Sequence, residues 1–368
     1  MIVRVLYDYQ TFSKPGYSGI PRYFIELAAR IAGFAGVEAR IVSPIILSPM
    51  LADHRNRMPT FGIDLSRLPI PARIVRAVNQ PLFRSYAALA RPDIVHETYY
   101  RRDRTAPNGS KIVMTFHDAI PQRVPHLFPH SEATRAGRQQ VLHRADHLIC
   151  VSQSTRNDLL DLFDVDPARV SVILLGSSLS PSPGGPIDIG SPYLLHVGQR
   201  HAYKNFNALI RAFGETGLHR THKLVSFSST PWTEGELREA QLSGVPESAM
   251  LRTSGDDQLL ARYYSGAVAL VFPSFYEGFG IPLLEAMRCG CPIVTSNVSS
   301  MPEVAGDAAL YVTPGDGGSL METLVRVSSS FEIRERLTAS GLARAKGLSW
   351  ERCAAETYEV YRNVLARD

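Results

Sequence analysis

The sequence predicts an α/β protein of two doubly wound domains, each a parallel sheet covered by helices. Three observations support this. The chain has 368 residues, 45% hydrophobic and 20% charged, which is enough for two domains with a core each. Short apolar runs rich in β-formers alternate with helical patterns along the chain. A segment rich in proline and glycine, residues 181–192, separates two such series and predicts a linker.

The first series forms a predicted domain over residues 1–180, with strands at 2–6, 39–42, 94–96, 111–116, 147–151 and 171–173. Residues 19–32 predict a helix, because its apolar residues recur on one face: Ile20, Tyr23, Phe24, Leu27 and Ile31. The second predicted domain, 193–345, has strands at 193–197, 223–228, 267–272 and 292–295 and helices at 205–213, 258–265 and 282–288. The sequence also predicts a terminal helix over residues 346–368, which we expect to pack back toward the first domain. Such sheets bind ligands at the carboxyl ends of their strands, so we expect the site in a cleft between the domains.

Charge and composition narrow the class of protein. Residues 1–185 contain 22 Lys and Arg against 15 Asp and Glu, within an overall net charge of +4, which predicts an anionic partner for the first half. The apolar runs are far shorter than the 20 or so residues of a membrane span. Arg4 and Asp8 interrupt what would be a signal peptide, so we expect a cytoplasmic protein. Four scattered cysteines are too few for a disulfide framework.

The most informative segment follows the predicted strand that ends at Phe272. A loop with two glycines leads into a helix at Pro282, a residue suited to the first turn because its missing N–H would have no partner there. The start of the helix and its dipole predict an anion site on the backbone of Gly278, Phe279, Gly280 and Ile281. Glu277 precedes this site and Glu285 follows it, so the two carboxylates are expected to flank a bound diphosphate.

A second cationic segment lies after the strand that ends at Val197. Gly198 makes a turn, and Arg200 and Lys204 then precede a helix. A guanidinium fork and an ammonium point charge suit the two phosphates of a nucleotide diphosphate. Surface cations that cap a loop are the alternative, and it applies most to Arg200.

Together these segments resemble the retaining glycosyltransferases of family 4, on the pattern Glu-x7-Glu within Gly-Phe-Gly-x-Pro-x-x-Glu-Ala at 277–286. The resemblance implies the GT-B fold of two facing Rossmann-like domains. It also implies transfer of a hexose from a nucleotide-diphosphate sugar to a hydroxyl acceptor with retention. Glu277 would serve the reacting sugar, Glu285 the ribose, and Arg200 and Lys204 the diphosphate. The segment 299–312 resembles mannosyl- and rhamnosyltransferases, so a GDP-linked donor, GDP-mannose or a GDP-deoxyhexose, is favoured.

The first half carries the weaker part of the resemblance. His117 and Asp118 end a predicted strand, and the family's His-Asp there implies a catalytic role near the donor sugar. Gly19 resembles the family's glycine loop that faces the donor phosphates, with an ordinary turn as the alternative. Between Arg55 and Arg104, arginines alternate with apolar residues, a pattern that suits a helix lying on an anionic membrane. Solvated arginines on the surface of the domain are the alternative.

We therefore expect a peripheral enzyme at the inner face of the plasma membrane that acts in lipopolysaccharide or exopolysaccharide biosynthesis on a lipid-linked saccharide. No cofactor, metal or nucleic acid is expected. A nucleotide-sugar epimerase or hydrolase of the same fold is one alternative, and a non-enzymatic anion- or nucleic-acid-binding protein is the other. A glycosidase would also use two carboxylates, but it has no use for cations beside an anion-binding helix.

Overall fold

Two separate parallel sheets organise the chain, and the α/β class predicted from the sequence is confirmed. The structure, a computed structural model, describes residues 2–367. Two units result: the first comprises residues 2–122, 130–175 and 350–367, and the second comprises 123–129 and 176–349. Within the described residues every strand pair is parallel.

The first unit contains seven strands in the order β3-β2-β1-β4-β5-β6-β7. They are β1 Val3–Tyr7, β2 Val37–Ile46, β3 Thr60–Asp64, β4 Ile94–Glu97, β5 Lys111–Phe116, β6 His147–Cys150 and β7 Val170–Val172. The helices are α1 Gly19–Ile31, α2 Pro49–His54, α3 Ala72–Ala90, α4 Ile120–Arg123, α5 Ser131–His143, α6 Gln153–Leu162 and α14 Trp350–Leu365. The direction of winding reverses between β1 and β4, which are neighbours in the sheet but not in sequence.

Burial explains why these segments fold as they do. The strands β4 and β6 are buried along their whole length, as expected of a sheet covered on both faces. On α1, Tyr23, Phe24, Leu27 and Ile31 form the buried face that the periodicity predicts. The last helix, α14, packs on α1 within this unit, where the rings of Tyr23 and Trp350 have centroids 6.1 Å apart.

The second unit contains six strands in the order β10-β9-β8-β11-β12-β13. They are β8 Tyr193–Val197, β9 Lys223–Phe227, β10 Met250–Thr253, β11 Ala269–Phe272, β12 Ile293–Ser296 and β13 Ala309–Val312. The helices are α7 Phe206–Glu215, α8 Glu234–Leu242, α9 Asp257–Gly266, α10 Ile281–Arg288, α11 Met301–Ala305, α12 Gly317–Ser329 and α13 Phe331–Ala345. Here the winding reverses between β8 and β11.

The core of the second unit holds the loops after β8 and β11 in place. Leu209 and Phe213 on α7 and Val271 on β11 are fully buried in one cluster with residues of β9 and α12. Both β8 and β11 are buried throughout, so their carboxyl ends are rigid starting points for the loops that follow. Apart from Gly19, the residues predicted to bind the donor lie in those two loops and in α10.

Candidate functional site

The candidate site of the second unit lies at the carboxyl edge of its sheet, where the winding reverses. Ligands of doubly wound sheets bind at such reversals, because the loops on either side leave toward opposite faces. The loops after β8 and β11 are joined by a backbone hydrogen bond from Phe275 N to Tyr203 O, 2.8 Å long. They bring together Lys204 and Glu277, which are 73 residues apart in the sequence.

Lys204 and Glu277 form a short ion pair. The Lys204 Nζ donates to Glu277 Oε1 at 2.6 Å, and the two side chains are only 13% and 9% exposed. The Lys204 ammonium also lies 4.6 Å from the centre of the Phe272 ring. Two hydrogen bonds hold the Glu277 backbone, from its own N to Ser299 Oγ and from Ser300 Oγ to its carbonyl oxygen. One positive and one negative group are therefore fixed side by side at the sheet reversal.

The helix α10 begins directly after this pair, at Ile281, one residue earlier than the sequence predicts. Gly280 is its N-cap and has a φ of 89°, a left-handed conformation that favours glycine. Pro282 takes the second position, where its missing N–H costs no helical hydrogen bond. Phe279 is buried, so it anchors the loop, while the first turn directs its N–H groups out of the helix end. This arrangement suits an anionic group.

Glu285 lies one turn further along α10 and is buried, with 6% of the residue exposed. Its Oε2 accepts a hydrogen bond from the Tyr264 hydroxyl at 3.0 Å. Burial, and then the Glu285 charge, raise the pKa of Tyr264 well above its usual value, so Tyr264 stays a donor. The carboxylate is thus oriented from α9.

Arg200 has different surroundings from those expected of a diphosphate ligand. Its Nε donates to Glu236 Oε1 at 2.6 Å, and the two side chains are 2% and 4% exposed. The other guanidinium nitrogens donate to Ser226 Oγ at 3.1 Å and to the carbonyl oxygens of Thr230 and Pro231 at 2.9 and 2.6 Å. Arg200 therefore fastens the loop between β9 and α8, and its contact with a diphosphate stays a prediction.

Two partners of Arg200 were not predicted from the sequence. Glu236 also closes a capping box with Thr233 at the start of α8, and the spacing Thr-x-x-Glu is the signal that could have placed it at a helix start. Trp232 packs against the guanidinium, whose central carbon lies 4.5 Å from the ring centre. The sequence holds no signal that joins Trp232 to Arg200, because the contact depends on how two loops pack.

The residues predicted in the first unit lie at the carboxyl edge of its own sheet. His117 follows β5 and is buried; its backbone N donates to the Tyr100 hydroxyl at 2.8 Å, and its ring packs edge-on against Tyr23. Burial, and then the charge of Arg138, lower the pKa of His117 to about 3, so the imidazole is neutral near pH 7. Among residues 2–367 nothing hydrogen-bonds the His117 Nε2.

Asp118 and Gly19 occupy less enclosed positions. The Asp118 Oδ1 accepts a hydrogen bond from Ile120 N at 3.1 Å and lies 3.8 Å from the Arg138 guanidinium. Gly19 is exposed and begins α1 after the N-cap residue Ser18. Their predicted roles toward a donor or acceptor remain predictions.

Two kinds of feature are absent from residues 2–367. No three or more His, Cys, Asp or Glu side chains cluster there as metal ligands would. No helix within the same residues has the length and apolar character to span a membrane.

Comparisons with known proteins decide the family. The domain described as Glycosyltransferase Family 4 matches residues 17–179, and the domain described as Glycosyl transferases group 1 matches residues 191–330. The chain belongs to the glycosyltransferases. The predicted family membership is thereby confirmed.

Individual relatives and structures agree with this membership. The O-antigen chain mannosyltransferase B of Escherichia coli is 29% identical over 376 residues, covering 94% of this chain and 96% of that protein. A D-inositol 3-phosphate glycosyltransferase of Frankia alni is 29% identical over 388 residues, with 95% of each chain covered. The sucrose-phosphate synthase structure from Thermosynechococcus elongatus superposes with a TM-score of 0.80 at 19% identity over the full length of both chains, which supports the GT-B fold.

Proposed function

We propose that this glycosyltransferase moves a hexose from a nucleotide-diphosphate sugar to a hydroxyl group of a lipid-linked or polysaccharide acceptor, with retention at the anomeric carbon. The pair of Lys204 and Glu277, 2.6 Å apart at the start of α10, is the observation that carries the proposal. A cation and a helix start suit a diphosphate, and the adjacent carboxylate suits the hydroxyl groups of the attached sugar.

The reaction follows from these charges. The bond between the anomeric carbon and the diphosphate oxygen breaks, and its electron pair passes to the diphosphate. Lys204 and the first turn of α10 stabilise that charge as it develops. Glu277 places negative charge near the cationic sugar. The acceptor oxygen attacks from the face that the diphosphate leaves, and its proton passes to the departing phosphate oxygen, so the configuration is retained.

The donor we propose is GDP-mannose or a related GDP-deoxyhexose. The mannosyltransferase named above matches this chain over nearly its whole length, which supports mannose more than another hexose. The same relative acts on an O-antigen chain by its name, which supports a saccharide acceptor. A thermal-shift screen of GDP-, UDP- and dTDP-sugars tests the base, since a ligand at 100 times its Kd stabilises by about 2.7 kcal/mol.

A transfer assay tests the reaction itself. The purified protein is incubated with the donor that the screen selects and with a diphospholipid-linked saccharide, and the product linkage is determined by NMR. We expect an α-linked hexose and its loss in Glu277→Gln. Glu322→Gln is the matched control, because this Glu lies on α12 with its side chain 73% exposed. Free sugar or an epimer formed without an acceptor would instead support the alternative, an epimerase or hydrolase.

We also propose that the first unit binds the inner face of the plasma membrane through an apolar patch. Helix α3 buries Val75 and Phe83 in the core yet exposes Ile74, Val78 and Leu82 on another face. Phe61 and Ile63 on the edge strand β3 extend the patch, since the Phe61 ring contacts Tyr86 of α3 at 4.7 Å. The patch is defined by these five exposed residues. Arg67 and Arg73, which are close to Ile63 and Ile74 in the sequence, are exposed and suit anionic headgroups.

Vesicle flotation tests the patch. We expect binding to phosphatidylglycerol vesicles that weakens with salt, and loss of that binding in Val78→Asp combined with Leu82→Asp. Leu342→Asp, which places the same charge on an exposed position of the second unit, is the control. Equal binding of wild type to phosphatidylcholine and phosphatidylglycerol vesicles would refute an electrostatic membrane contact.

A further inference from the structure

A second cationic site lies at the carboxyl edge of the first sheet. The winding of this sheet reverses between β1 and β4, so the loops after these two strands flank the expected ligand position of the first unit. The first loop contains Lys14, and the second contains Tyr99 and Tyr100. His117 and Asp118 follow the neighbouring strand β5 at the same edge.

The buried carboxylate of Asp8 fastens the two loops to each other. It accepts hydrogen bonds from Thr98 N at 3.0 Å, Thr98 Oγ1 at 2.7 Å, Thr105 Oγ1 at 3.0 Å and Gln10 Nε2 at 2.6 Å. Gln10 in turn accepts a hydrogen bond from the backbone N of Arg101. Because Asp8 is fully buried and bonded to both loops, the side chains that these loops carry have fixed positions.

Lys14 and Arg76 converge on this edge from different elements. The Lys14 ammonium lies 4.4 Å from the centre of the Tyr99 ring, within the range of a cation–π contact. Asn79 of α3 donates to the hydroxyl oxygen of Ser13, the residue before Lys14, at 2.9 Å. Arg76 lies one turn before Asn79 and therefore on the same face of α3. Partial burial, and then the charge of Arg76, lower the pKa of Lys14.

Some cations of the first unit have an acidic partner, and others, Lys14 and Arg76 among them, have none within the described residues. Arg30 and Arg57 share Glu26, Arg144 pairs with Glu97, and Arg138 lies 3.8 Å from Asp118. Within residues 2–367 neither Lys14 nor Arg76 forms an ion pair. The charge of Arg76 acts on Lys14, and like charges destabilise one another, so an anion from outside the chain that bound both groups would stabilise them.

We propose that Lys14 and Arg76 bind a phosphate group of the acceptor substrate, and that Tyr99 positions the Lys14 ammonium. A guanidinium fork and an ammonium group together supply the charge-assisted hydrogen bonds that a phosphate oxygen accepts. The acceptor class is then a glycosyl phosphate or diphosphate. This inference rests on the proposed function, because it takes the first unit to hold the acceptor.

A phosphorus NMR titration tests the site. Hexose 1-phosphate is titrated into protein saturated with the nucleoside diphosphate that binds best, so that the donor phosphate site is filled. We expect Lys14→Ala and Arg76→Ala each to weaken hexose 1-phosphate binding at least tenfold, and Lys14→Arg to retain most of it. Tyr99→Phe keeps the ring and should bind like wild type, whereas Tyr99→Leu should bind more weakly. Arg4→Ala, a loss of charge at the opposite end of β1, should change nothing.

Two further measurements distinguish the sources of the phosphate. An uncharged methyl hexoside, titrated with proton NMR, should bind wild type and Lys14→Ala alike. If Lys14→Ala and Arg76→Ala instead bind hexose 1-phosphate normally but lose binding to phosphatidylglycerol vesicles, the cations contact lipid headgroups and the proposal is wrong. Failure of wild type to bind hexose 1-phosphate also overturns it. Failure of wild type to bind any nucleoside diphosphate refutes the proposed function instead.

Discussion

The buried pair of Arg200 and Glu236 allows two roles of Arg200 to be separated. The sequence predicts a diphosphate ligand, whereas the structure surrounds the guanidinium with protein acceptors on the loop between β9 and α8. We expect the main effect of Arg200→Ala to be a loss of stability of the second unit. Ligand binding should weaken only indirectly, because the loop between β9 and α8 is no longer held in place.

The expected magnitude follows from burial. Both side chains are under 5% exposed and their nearest atoms are 2.6 Å apart, so either single substitution leaves an unpaired charge in the interior. Breaking such a pair costs about 3–5 kcal/mol. Replacing both residues, as in Arg200→Ala with Glu236→Gln, removes both charges, so we expect a cost about 2 kcal/mol smaller than the sum of the costs of Arg200→Ala and Glu236→Gln alone. At about 2–4 °C per kcal/mol, each single variant should lower the Tm by about 10 °C.

Thermal unfolding and calorimetric titration together provide the measurement. The nucleoside diphosphate and the unphosphorylated nucleoside are titrated into wild type, both single variants and the double variant. If Arg200 positions the loop, the affinities for both ligands fall together. An unchanged Tm for Arg200→Ala, with a tenfold loss of nucleoside diphosphate affinity and none for the nucleoside, would show that the reasoning is wrong and that Arg200 is a phosphate ligand.

Three further predictions concern the same unit. Glu277→Gln should lower turnover at least 100-fold and keep the affinity for the nucleoside diphosphate within about threefold. Glu285→Ala should weaken that affinity about tenfold, which is the usual size of one hydrogen bond to a charged group. Calorimetry and a transfer assay on both variants would show the opposite pattern if the assignments are reversed. Transfer should continue in excess EDTA, since in the proposed complex Lys204 and the start of α10 stabilise the charge of the diphosphate. Activity lost with EDTA and restored by Mg²⁺ would contradict this. Burial, and then the charges of Lys204 and Arg200, lower the pKa of His196 to about 3. The wild type therefore loses stability as the pH falls below 6.5, because the imidazole of the unfolded chain gains a proton there and the folded one does not. Between pH 7.5 and 5.5 the free energy of urea unfolding of His196→Leu should rise by about 1 kcal/mol relative to wild type, and an equal pH dependence of the two proteins would refute this.

Strands buried on both faces were the part of the fold that the sequence predicted best. The runs at 193–197 and 111–116 coincide with β8 and β5, because a continuous apolar run of β-formers has few other ways to be buried. The strand β3 was missed, since it lies at the sheet edge with mostly partly or fully exposed residues and contains Gly62. The strands β10 and β13 were missed as well; they are the two edge strands of the second sheet, and β10 is partly exposed.

The site was predictable where one contiguous segment holds it. The start of α10 could be placed within one residue, because Gly280 and Pro282 act locally on the backbone. The contact of Lys204 with Glu277 joins residues 73 positions apart, and sequence could place both at one sheet edge but could not give their ion pair. The partner of Arg200 could not be predicted, because a cation in a loop can bind either a ligand or a distant carboxylate. Nothing in the sequence around Glu236 indicates that it pairs with Arg200.

Each unit restrains at least one loop at its sheet reversal with a buried carboxylate, and the two carboxylates differ in the groups that they bind. Asp8 accepts only neutral donors, from backbone N–H, hydroxyl and amide groups of both loops. Glu236 accepts a charged guanidinium and caps α8. A change at Asp8 or Glu236 should therefore impair binding by moving the loops that carry Lys14 in the first unit and Lys204 in the second, although the proposed ligand residues themselves are unchanged.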